Sequence, residues 1–113
     1  MIRLTVEAIS AKNGTAKIEN LTTGVTVSKF VESSYPLCMQ NAEWIVEDYA
    51  MGQNGNWVQF CNFETVQFTD STATMASGES IGTDGATIVA IEQNGVVLTS
   101  VSGTSGGVTI KHS

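Results

Sequence analysis

The sequence predicts an all-β fold built from antiparallel strands, and three observations carry that reading. Apolar and polar residues alternate over short stretches, Asn-Gly and Gly-rich turn signals separate those stretches, and no helical apolar stripe of ten or more residues occurs. Many short strands at turn-marked spacing indicate a sandwich or a barrel. The 113 residues suit one domain of roughly average size, and no linker, repeat or low-complexity block divides them.

The elements follow in order. Over residues 2–9, Ile2, Leu4, Val6 and Ala8 alternate with Arg3, Thr5 and Glu7, the pattern of a half-buried strand. Asn13-Gly14 is the favoured pair for a tight hairpin turn, with a second strand over 15–19. Thr22-Thr23-Gly24 marks the next turn, and 25–31 the next strand. Residues 32–40 form a loop around the single proline, Pro36. In 42–49 the Trp-Ile-Val centre favours a strand, at 43–48, over a short helix. A Gly- and Asn-rich loop at 50–56 leads to strands at 57–60 and 65–69, and 72–75 admits one more short strand. Residues 86–92 run into Asn94-Gly95, a second hairpin turn answered by 96–101, and Gly106-Gly107 bends the chain before the last strand, 107–111.

Charge narrows the function. Five Lys and Arg stand against eleven Asp and Glu, for a net charge of -6, and nothing between Phe30 and Ile110 is basic. A nucleic-acid surface must neutralise phosphates and an anionic membrane attracts cations, so both partners are excluded. No window approaches the ~20 apolar residues of a transmembrane helix. No basic segment followed by an apolar run comes after Met1, so no secretory signal is expected. The acidity suits solubility, and equally work at low pH, where self-repulsion falls. Cys38 and Cys61 permit one bridge at most. With no CxxC and a single histidine, His112, neither a zinc cluster nor a Ser-His arrangement can be assembled, and no metal or cofactor is expected. Asn13 and Asn20 open Asn-x-Thr tripeptides that would accept glycans in a secreted chain.

Residues 43–48 hold the candidate chemistry. In a strand, Glu43, Ile45 and Glu47 share one face and Trp44, Val46 and Asp48 the other, with Trp44 and Val46 the natural core face. Glu43 and Glu47 stand about 13 Å apart along an extended chain, too far to share a proton or straddle a bond. A single glutamate can act as general base, given a partner that stabilises the oxyanion. On a solvated sheet face it does nothing more than face water.

The run Asn41-Ala42-Glu43-Trp44-Ile45-Val46-Glu47-Asp48-Tyr49, followed by Trp57-Val58-Gln59-Phe60-Cys61-Asn62-Phe63 and Val66-Gln67-Phe68-Thr69, resembles the fungal glutamic peptidases. These are the pepstatin-insensitive acid endopeptidases of the scytalido- and aspergilloglutamic type. The stretch Gly14-Thr15-Ala16-Lys17-Ile18-Glu19-Asn20-Leu21-Thr22-Thr23-Gly24 and the late Val101-Ser102-Gly103-Thr104 are similar as well, so the resemblance spans essentially the whole chain. It implies a concanavalin-like or jelly-roll sandwich of two curved antiparallel sheets, truncated relative to the family, and an extracellular setting. It also implies a chemistry in which a glutamate, matched by Glu43, activates water while a glutamine amide stabilises the oxyanion. That glutamine and the cleft-lining aromatics belong to the family's long N-terminal half, and none of Gln40, Gln53, Gln59, Gln67 and Gln93 stands in its context. Cys38 matches a position whose usual disulfide partner lies in that half, which leaves a Cys38–Cys61 bridge or two free, buried thiols.

Two readings follow. In the first, the chain is a non-catalytic relative that binds a glycan or a peptide, with Trp44, Glu47, Tyr49 and Trp57 as ligand contacts and a homodimer covering the open edges. In the second, it is an acid endopeptidase in which Glu43 works with a glutamine from a partner chain. For both tryptophans, core packing is the alternative to ligand contact.

Overall fold

The computed structural model describes residues 1–51 and 56–113. All regular structure among them is strand, and no helix is long and apolar enough to cross a membrane. The chain divides into two compact units, Met1–Ala42 and Glu43–Ser113.

The first unit is a three-stranded antiparallel sheet in the order β1 (Ile2–Ala8), β2 (Asn13–Asn20), β3 (Thr26–Glu32). Its register sets Leu4, Ile18 and Val27 in one row and Val6, Ala16 and Lys29 in another. Directly opposed residues share a face, so one face is apolar apart from Lys29 and Asn20, which lies opposite Ile2 at its edge. The other carries Arg3, Lys17 and Glu19, with Glu19 Oε2 3.3 Å from Lys17 Nζ. The apolar face is open: Leu4 is 62% exposed, Val27 63% and Val6 85%.

The first turn differs from expectation. Asn13 and Gly14 belong to β2, where Asn13 pairs with Glu32 and Gly14 with Ala8. The chain turns earlier, because Ser10 Oγ accepts the Lys12 and Asn13 amides and the Asn13 carbonyl accepts those of Ile9 and Ser10. Gly14 serves close approach instead, since a Cβ there would collide with the Glu7 carbonyl oxygen. The second turn stands as predicted: Asn20 Oδ1 accepts the Thr22 and Thr23 amides, and Gly24 takes φ 77°.

The second unit centres on a sheet ordered β11 (Thr99–Thr104), β12 (Gly107–His112), β6 (Thr65–Phe68). Ile110, in the middle strand, pairs with Val101 and Val66 and is the one buried hydrophobic side chain among the described residues. Three two-stranded ladders complete the unit: β4 (Ala50–Met51) with β5 (Asn56–Trp57), β7 (Ala73–Thr74) with β8 (Ser80–Ile81), and β9 (Glu92–Gln93) with β10 (Val96–Val97). Asn94 (φ 51°) and Gly95 (φ 78°) join the last pair as a two-residue turn with both residues at positive φ, as Asn-Gly predicts.

Four strand expectations are corrected. Residues 43–48 pair with no strand among the described residues; alternation reports burial, not the presence of a neighbour to bond. Of 86–92 only Glu92 enters a ladder, together with the following Gln93. The run before them is held by single bonds, Ala86 N to the Thr83 carbonyl and Ile91 N to Thr99 Oγ1. The stretch 96–101 breaks at Leu98, whose amide bonds to the Ile91 carbonyl, so its two parts join different sheets. Strand 57–60 shortens to Trp57, and the loop expected at 50–56 falls largely outside the described residues, as does Gln53.

Buried hydroxyls fasten the irregular segments to the sheet. Thr83 Oγ1 donates one hydrogen between the Thr104 and Gly107 carbonyls, 3.2 Å from each. We expect Thr83→Val to lower stability by about 1–3 kcal/mol by leaving those carbonyls short of a donor. Gly107→Ala should cost a similar amount through overpacking, because its Cβ would lie 2.6 Å from the Phe68 carbonyl oxygen. Urea unfolding midpoints of the two variants against the parent check both values.

Candidate active site

The segment 43–49 carries the predicted chemistry, and its side chains alternate as the sequence suggests. Glu43, Ile45, Glu47 and Tyr49 are exposed, while Trp44, Val46 and Asp48 are half-buried. Two carboxylates therefore face solvent from the outer row, and a third turns inward. Lys111 is the single Lys or Arg in residues 43–113, so no lysine or arginine within the segment or near it in sequence offsets this charge.

The inner row has a polar end. Gln93 Nε2 donates to Asp48 Oδ2 at 2.7 Å across 45 positions of sequence, and Asp48 Oδ1 is buried with no hydrogen-bond partner among the described residues. This pair was not visible as a pair in the sequence; its one signal was an aspartate sharing a face with Trp44 and Val46. The C-terminal end of the segment is held by Val58 N, which donates to the Tyr49 carbonyl at 3.1 Å. Beyond it, Phe60 stacks on His112 with ring centroids 5.6 Å apart, and Phe63 meets both rings edge-on.

Other candidates are scattered. Trp57 lies in β5, its side chain outside the described part. Gln40, Gln59 and Gln67 are exposed, and Gln93 is engaged with Asp48. Asn13 and Asn20 are half-buried in β2. A cavity of about 420 Å³ beside the β11–β12 turn, lined by Gln67, Phe68, Asp70, Thr72 and Thr104, contains no candidate residue other than Gln67. Cys38 and Cys61 are free and exposed, which replaces both sequence alternatives, the bridge and the buried thiols.

The Peptidase A4 family model matches residues 1–112. The chain belongs to this family. It is 42% identical to Aspergillopepsin-2 of Aspergillus niger, covering 98% of this chain and 39% of that protein. It is 43% identical to Scytalidopepsin B of Scytalidium lignicola, covering 92% of this chain and 43% of that protein. The chain thus spans about two fifths of these relatives' length. The crystal structure of aspergilloglutamic peptidase from Aspergillus niger superposes with a TM-score of 0.92 at 42% identity, over 100% of this chain and 66% of that one. The antiparallel all-β architecture accordingly matches the glutamic-peptidase β-sandwich fold, the one the sequence resemblance implied.

Exposed thiols react. Titration with an aromatic disulfide reagent, without prior reduction, should find two thiols per chain in the native state; none would indicate a Cys38–Cys61 bridge.

Proposed function

We propose that this chain carries the catalytic-glutamate part of an acid glutamic endopeptidase, completed by a glutamine from a further segment. The supporting observation is Glu43, exposed on the outer row of a segment that reads as the family's glutamate motif. Glu43 takes a proton from water as its oxygen attacks the peptide carbonyl carbon. It then returns that proton to the leaving nitrogen as the C–N bond breaks. The glutamine amide donates to the oxyanion that forms between these steps. Glu47 and Tyr49, on the same row, contact the peptide, with Trp57 close in sequence.

The binding-only reading, with a glycan or peptide ligand and no chemistry, lacks an observation of comparable weight. The endopeptidase reading sets the protein's work outside the cell at acid pH. The relatives' greater length supports a further segment, and the open face of β1–β3 is a surface that such a segment, or a second copy of this chain, would cover.

Two outcomes are expected. Alone, the chain should digest denatured protein at acid pH at least roughly 100- to 1,000-fold more slowly than when refolded with the part of Aspergillopepsin-2 it does not match, the loss typical of one missing oxyanion donor. Glu43→Gln should abolish the complemented activity, and cleavage that survives it would overturn the proposal. Sedimentation equilibrium of the chain alone should show a dimer or larger species at tens of micromolar; a monomer there would speak against self-association through the apolar face.

A further inference from the structure

The segment bearing Glu43 has no ladder of its own. Residues 43–48 exchange no backbone hydrogen bond with any described residue, and the first such bond is Val58 N to the Tyr49 carbonyl. Trp44 and Val46 are half-buried, but apolar contact is non-directional and tolerates rotation of the backbone above it. A general base must keep its position within a fraction of an ångström. Among the described residues, the one directional tie to the inner side is the 2.7 Å bond from Gln93 to Asp48, five residues from Glu43.

Gln93 is itself well placed to serve as an anchor. It immediately precedes the Asn94-Gly95 turn and pairs with Val96. The ends of that hairpin are tied to the main sheet, because Ile91 N donates to Thr99 Oγ1 and Leu98 N to the Ile91 carbonyl. Thr99, 2% exposed, opens β11. A continuous path of hydrogen bonds and short covalent spans therefore runs from β11 through the hairpin to Asp48.

The choice of residue points the same way. An apolar side chain at 48 would continue the row of Trp44 and Val46 and leave no buried oxygen unpaired, whereas Asp48 leaves Oδ1 without a partner among the described residues. Replacing buried polar pairs by packed apolar ones is often neutral or stabilising, so the Asp48–Gln93 pair fits orientation better than stability.

We infer that Asp48 and Gln93 are positioning residues, whose hydrogen bond holds the 43–48 segment so that Glu43 stays presented on the outer row. The inference rests on the proposed role of Glu43 but is tested without any assay of peptide cleavage.

The test is nitrogen-15 relaxation of backbone amides in the 113-residue chain. Order parameters at residues 43–47 should lie near about 0.85 in the parent and fall below about 0.6 in Gln93→Leu, while those of β11 and β12 hold. The double variant Asp48→Asn with Gln93→Glu rebuilds the bond with donor and acceptor exchanged, and should restore the parent values. Asp48→Leu with Gln93→Leu fills the space without the bond, and should leave the segment mobile. Unchanged order in Gln93→Leu, or recovery in the double leucine variant, overturns the inference. An inert complemented enzyme whose segment responds as expected would sink the peptidase proposal and leave the positioning role intact.

Discussion

Strand β12 is the member on which the second unit depends. It is flanked on both sides, by β11 and by β6, and its Ile110 is the one hydrophobic side chain buried among the described residues. With so little apolar burial, most of the order in the surrounding segments has to come from hydrogen bonds. Thr83, Thr99 and Ser71 are the buried polar residues among those described, and two of them join irregular segments to the sheet through their hydroxyls: Thr83 donates to strand carbonyls, and Thr99 accepts the Ile91 amide. A hydroxyl can reach a carbonyl or an amide that no ladder serves, so long loops lie on a small sheet without stranding their polar groups.

The candidate active site inherits this way of building. Its segment alternates like a strand yet borrows its fixation from a side-chain pair and from the hairpin behind it. Such an arrangement leaves the outer row exposed. In sequence, no lysine or arginine lies within this acidic segment or near it. The first unit contributes a different feature, a sheet with one apolar face in the open. Faces of that kind are covered in finished assemblies, and the relatives of this chain have the additional length with which to cover one.

Sequence reasoning was most reliable where a local rule decides the outcome. The all-β class, the strands of the first unit, the Asn94-Gly95 turn and the final hairpin all follow from alternation and from residues able to adopt positive φ. The glutamate segment and its inner and outer rows were legible too, because period-two burial is written directly into apolar and polar order. Family membership followed from the same residues. These features depend on neighbours within a few positions, and such information is carried by the chain itself.

Other features were settled by contacts far apart in sequence. Asn13-Gly14 has the composition of a turn, yet Ser10 offered the amides a better acceptor, and Gly14 was used for close approach to Glu7. Residues 86–91 have the composition of a strand, yet strand identity needs a partner with free backbone groups, and here the Thr99 hydroxyl took the Ile91 amide. Gln93 and Asp48 met across 45 positions. No local pattern encodes which donor will find which acceptor; register and turn length decide it once the sheets have formed.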